Sequence, residues 1–174
     1  MSCLVVGIKA LLLATILVVV SCGPRCRDSA GRIQSSGLGL NRCEWEKLHG
    51  ASEHKDSMYY RYEGQRFLVH YLDGSRGSAE LVADLIRQYP ESAEVSIEVA
   101  RAESKELLPT DASIVRTFEA SGQTVDLYYS EALKDSFSDE YFWRGGEPGN
   151  CIVLYRPGHK ADVGSFVVTT GNNP

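Results

Sequence analysis

Arg66-Phe67-Leu68-Val69-His70-Tyr71-Leu72, closed by Asp73-Gly74, alternates with a period of two. In an extended chain Phe67, Val69 and Tyr71 fall on one side and Leu68 and His70 on the other, the signature of a strand with one face against a core. Met58 to Tyr62 is a second strand, and Glu63-Gly64-Gln65 joins the two as a short turn. Just upstream, Gly39 to Gly50 reads as a helix with both ends signed. Asn41 caps it, Glu44 reaches back three residues, Leu40 staples onto Trp45, and Gly50 suits a left-handed stop.

Downstream, Ser96 to Leu108 is a second helix, capped by Ser96 and stopped by Pro109, with Val99, Ala100 and Leu107 on one face. Four alternating strands follow, Ser113 to Glu119, Thr124 to Ser130, Ile152 to Arg156 and Gly164 to Thr170. A short helix, Glu131 to Phe137, and a long loop, Ser138 to Asn150, separate the middle pair. Glu80 to Tyr89 fits either type: Val82, Leu85, Ile86 and Tyr89 have helical spacing, while its place after a hairpin suits a strand. The spacing favours helix. The order of elements predicts an α+β fold, an antiparallel sheet of about five to six strands with two or three helices on one face. Each half pairs a capped helix with a hairpin, yet the halves share no residue pattern that would assert a duplication.

The N-terminus carries an address. Lys9 is the lone charge ahead of Ala10 to Val20, where every residue but Thr15 is apolar. That run has the length of a signal-peptide core, shorter than the roughly 20 apolar residues of a spanning helix. An uncleaved anchor from Cys3 to Cys22 is the competing reading. Val19-Val20-Ser21-Cys22 resembles the lipobox of bacterial lipoproteins, with Val20 bulkier than the usual residue, so ordinary signal-peptidase cleavage is the alternative. The resemblance implies a signal peptide over 1–21, lipid on Cys22 as the new N-terminus, and, with Gly23 instead of aspartate next, the outer membrane if the organism has one. Secretion is the alternative address. Residues 22–38 read as a lipidated N-terminus and flexible tether, and 39–174 as one domain of a size that buries about 70% of its extended surface.

The net charge is −5 and no Lys/Arg cluster tracks a phosphate backbone, which argues against a nucleic-acid partner. Five cysteines are present. With Cys3 removed and Cys22 committed, Cys26, Cys43 and Cys151 remain, and an oxidising compartment allows one bridge, Cys43 to Cys151 for instance; buried unpaired thiols are the other reading.

Gly39-Leu40-Asn41, Trp45, Leu48 and Gly50, then Tyr59-Tyr60-Arg61-Tyr62 and Phe67 to Gly74, together resemble the small outer-membrane lipoproteins of the barrel-assembly machinery and the wider fold shared with the β-lactamase-inhibitor protein. Members have a Gly-Met-Thr start, a helix ending in Leu-Gly-x-Pro, a Trp/Tyr strand and a strand ending in Asp-Gly. Here Asn41 stands for the threonine, His49-Gly50-Ala51-Ser52 for the helix end, and the proline is missing. The resemblance spans residues 39 to 74 and implies a helix-on-sheet binding module without catalysis.

Residue sets that specify a reaction are not found. His49 and His54 lie on either side of Gly50, at the wrong spacing for a helical zinc pair. Gly74-Ser75-Arg76-Gly77 lacks a residue of the nucleophile elbow, and Gly37-Leu38-Gly39 has no third glycine, so neither metal nor cofactor is expected. Binding is better signed. Asp139 to Gly149 sets Tyr141, Phe142, Trp143 and Arg144 in a glycine-rich loop, residue types of interface hot spots; folding back as a plug on the sheet is the other reading for Phe142 and Trp143. Tyr60, Tyr62, Trp143 and Arg144 are the expected contact residues. The expected function is a lipid-anchored, non-enzymatic binding or assembly module for an envelope protein, with a secreted hydrolase of envelope polymers or an inhibitor of an extracellular enzyme as alternatives.

Overall fold

The computed structural model describes residues 33–56, 58–64, 66–73, 80–137, 143, 146–159 and 162–172. The expected signal peptide, Cys22 and the tether up to residue 32 lie outside the described residues. The elements run α1 (Arg42–His49), β1 (His54–Asp56), β2 (Tyr59–Tyr62), β3 (Phe67–Asp73), β4 (Glu80–Gln88), α2 (Ile97–Glu106), β5 (Ser113–Ala120), β6 (Gln123–Tyr129), α3 (Glu131–Ser136), β7 (Asn150–Arg156) and β8 (Ser165–Thr170). The fold is α+β, with the strands in one antiparallel sheet of order β1-β2-β3-β4-β8-β7-β6-β5.

That sheet has eight strands instead of five to six. One addition is β1, three residues long, too short to show a period. The other is β4, where the helical spacing of Val82, Leu85 and Ile86 misleads. β4 sits between β3 and β8, and Leu81 to Leu85 are all buried. Burial of five successive residues erases the alternation that identifies a strand, and an apolar run interrupted only by Asp84 matches a helical template by chance.

Local chemistry fixes the helices. Asn41 Oδ1 accepts from the Glu44 amide at 2.9 Å and Glu44 Oε2 accepts from the Asn41 amide at 3.0 Å, a complete capping box. Ser96 caps α2 through the Val99 amide, and Ser130 caps α3 through the Leu133 amide. Trp45, fully buried, meets the ring edges of Tyr62 and Phe67 at 5.8 and 5.6 Å, seating α1 on β2 and β3. α2 is held differently, by Ser104 Oγ against Tyr155 OH at 2.8 Å and by a forked Arg101 to Asp126 pair at 2.9 and 3.1 Å.

The sheet is two four-stranded meanders, β1 to β4 and β5 to β8, whose last strands pair with each other from Asp84↔Thr169 to Gln88↔Ser165. Each meander follows a capped helix. The domain also takes in residues placed by sequence in the tether. The Leu38 amide donates to Leu107 O, the Gly39 amide to Val82 O, and the Val82 amide to Leu40 O, each at 2.8 Å. Leu38 is fully buried, and the chain passes so close to α2 that a Cβ on Gly37 would stand 2.6 Å from Leu107 O.

The expected Cys43 to Cys151 bridge does not form. Cys43 is disulfide-bonded, and its partner lies outside the described residues. Cys151 is a free, buried thiol between Tyr128 and Thr170 in the second meander, while Cys43 sits in the first turn of α1 over the first.

Candidate functional site

Strand alternation and the ladder registers sort the sheet's side chains onto two faces. One face carries Tyr62, Phe67, Val69, Leu85, Phe166, Val153 and Tyr155, in the main core cluster with Trp45 of α1 and Ala100 of α2. On the other face no helix packs among the described residues. Two ranks of side chains cross this helix-free face. One runs His54, Arg61, Leu68, Ile86, Val167, Leu154, Val125, Phe118; the next runs Tyr59, His70, Asp84, Thr169, Ile152, Leu127, Arg116. Val125, Leu127, Ile152 and Leu154 form a small second core with Phe118 and Val167 against it, whereas Leu68, Ile86, Val167 and Phe118 stay half-buried.

The centre of this face holds a polar cluster. Asp84, 4% exposed, accepts from His70 Nδ1 at 2.9 Å through Oδ2 and from the Thr169 hydroxyl through Oδ1. A carboxylate taken from water is tolerated only with such donors. The pairing puts the proton on Nδ1 and turns Nε2 away from Asp84, while the Tyr59 ring lies against the imidazole at 5.6 Å between centroids. Residues from β3, β4 and β8 thus meet in one cluster, whose His70–Asp84 pair is of the kind that orients a general base. Among the described residues the side-chain hydrogen bond of His70 goes to Asp84, and no nucleophile joins it.

The expected contact residues scatter. Tyr62 is fully buried, with its hydroxyl 2.8 Å from that of Tyr71 and 3.4 Å from Glu46 Oε1; burial holds both phenols above their ordinary pKa, so they stay neutral. Trp143 is 2% exposed and meets Phe137 edge-on at 6.1 Å, buried as the plug reading has it, while Phe142 lies outside the described residues. Burial removes both from any contact surface. Arg144 lies outside the described residues. Tyr60 remains half-buried on the helix side, between the Arg42 guanidinium at 4.3 Å and the Lys55 ammonium at 4.8 Å.

His49 stacks on Trp45 at 3.9 Å and bonds Glu63 at 2.7 Å, so it is structural. Among the described residues no group of three metal-ligating side chains comes together, and no helix is long and apolar enough to cross a membrane. An open groove of about 630 Å³ runs beside Ile33, Ser35, Ser36, Lys105, Glu106 and Thr110; in it the Ser35 hydroxyl donates to Leu107 O at 3.2 Å.

The sequence reading set His70 opposite Phe67, Val69 and Tyr71, but gave no role to His70, Asp84 or Thr169. One clue was available, an aspartate inside the apolar run Leu81 to Ile86, since a buried carboxylate requires a partner. Comparison with family models, with curated proteins and with solved structures finds no match for this chain.

Proposed function

We propose that this protein is a non-enzymatic binding or assembly module of the bacterial cell envelope, lipid-anchored through Cys22, with its helices gathered on one side of the sheet and a protein partner seated on the other. The observation that carries the reading is the group Leu68, Ile86 and Val167, half-buried apolar side chains paired side by side on three adjacent strands of the helix-free face. Exposed apolar surface beyond that of scattered single residues marks interaction sites in soluble domains. The signal-peptide reading and the resemblance over residues 39 to 74 supply the address and the absence of catalysis. A hydrolase is the second reading, favoured by the His70–Asp84 pair; it requires a nucleophile that the described residues do not place at the imidazole.

A photo-crosslinking residue at 167, compared in intact cells with one at the exposed Val99 of α2, tests the docking face. Crosslinks to one discrete envelope protein from 167 and none from 99 are expected. Equal labelling from both positions refutes the face, and a Cys22→Ala chain that still sediments with membranes refutes the anchor.

A further inference from the structure

We infer that the disulfide on Cys43 is closed by Cys26, so that the domain hangs from its lipid by three residues instead of a long tether. This rests on the anchor reading above and adds the way the anchor is joined to the fold. The sequence holds five cysteines. Cys43, half-buried in the first turn of α1, is disulfide-bonded, and Cys151 is a free thiol enclosed by the second meander. Cys3, Cys22 and Cys26 are left. Cys3 falls inside the signal peptide that export removes, and a Cys22 sulfur that carries lipid has no thiol to oxidise. Cys26 is the remaining partner.

The fold brings the chain within reach. The Ile33 side chain packs on Gly39, and the Thr110 amide donates to Gln34 O at 2.8 Å, which fixes where the chain enters the domain. Gly39 stands at most about 14 Å along the chain from Cys43, and the stretch from Ile33 back to Cys26 spans up to about 24 Å. Forming the S–S bond removes two protons and two electrons from the two thiols. They pass to a protein disulfide of the receiving compartment, which is left as a dithiol. Such a bond persists in an oxidising compartment, in agreement with export. Cys151 does not compete for it, since exchange requires an accessible thiolate and Cys151 is buried.

The consequence is mechanical. Gly23, Pro24 and Arg25 are the residues between lipid and bridge, so Cys26 stays within about 14 Å of Cys22, against about 38 Å from Cys22 to Ile33 without the bridge. Through Trp45, α1 packs on Tyr62 and Phe67, on the opposite side of the sheet from Leu68, Ile86 and Val167. The short link holds the helix side near the membrane and leaves the helix-free face clear for its partner.

The test places a thrombin site between Asp28 and Gly31 of the full chain, made in a bacterial host, and follows sedimentation with membranes under non-reducing conditions. The cut chain stays with the membranes and is released when dithiothreitol is added, whereas cutting alone releases a Cys26→Ser chain; reducing gels establish that the site is cut. Release of the cut parent chain without reductant overturns the bridge. Mass spectrometry of thiol-blocked tryptic fragments of the unmodified chain finds Cys43–Lys47 joined to the fragment that carries Cys26. Joining of Cys43–Lys47 to Cys22–Arg25 or to Met1–Lys9 overturns the bridge and the anchor together. A chain that shows the Cys26 to Cys43 pair but does not sediment before cutting overturns the anchor and the short link, and spares the pairing.

Discussion

His70→Ala tests whether the dyad at the centre of the helix-free face is built or incidental. Asp84 is 4% exposed and accepts from His70 Nδ1 and from the Thr169 hydroxyl. Removing the imidazole takes away the hydrogen bond to Oδ2, and losing a hydrogen bond to a buried carboxylate costs about 1–3 kcal/mol. The imidazole is 18% exposed, so water reaches part of the vacated space and holds the total to about 2 kcal/mol. With a urea slope of about 2 kcal/mol/M for a domain of this size, the midpoint falls by about 1 M. Asp84→Asn supplies the second arm. A neutral amide still meets the threonine and removes the buried charge that the imidazole donor served, so in the His70→Ala background it restores stability, giving a coupling of about 1–2 kcal/mol in the double-mutant cycle. A His70→Ala cost below about 0.5 kcal/mol, additive with Asp84→Asn, would refute the reasoning.

Trp143→Ala is a lesion of the core rather than of a contact surface: it loses about 3–5 kcal/mol in chemical denaturation, and any loss of partner binding disappears once the variant is compared below its melting point. Cys151 resists iodoacetamide in the folded protein at pH 8, because burial pushes its thiol up to about 12, and reacts on unfolding in urea; labelling of the native protein at the rate of a free thiol would contradict its position. Gly37→Ala drives a methyl to 2.6 Å from Leu107 O and lowers stability by about 1–3 kcal/mol, whereas alanine at Ser36, next along the chain, does not.

The sequence disclosed elements whose ends or alternation are written in neighbouring residues. The capping box at Asn41 and Glu44 and the alternation of β3 were readable because polar and apolar neighbours differ along the chain. β4 was not, because Leu81 to Leu85 are buried in succession and its apolar positions fit helical spacing. The two-meander architecture was hidden by chemistry at matching positions. About the β4–β8 junction, the rank Tyr62↔Phe67↔Arg87 corresponds to Asp126↔Val153↔Val168. In the first meander Trp45 of α1 packs on Tyr62 and Phe67; in the second, Arg101 of α2 grips Asp126. One geometry is met by aromatic packing in one half and by an ion pair in the other, so no shared residue pattern survives. The candidate site was scattered for a related reason: Thr169 lies 85 residues from Asp84, and only the pairing of β4 with β8 joins them.

That pairing also sets a schedule for folding. β8 follows every other strand in the chain, yet it occupies the middle of the sheet, between β4 and β7. A chain made N-terminus first can close its first meander early, but β7 has no neighbour to link it to β4 until residues 165–170 arrive. The last strand to appear is the keystone. Until it seats, β4 and β7 each present an open edge of hydrogen-bonding groups on long apolar strands, the condition that invites pairing with other chains. Contacts of such long sequence separation form slowly. A chain of this topology therefore passes through its most aggregation-prone interval just before its last strand seats, when chaperoning has the greatest effect on yield.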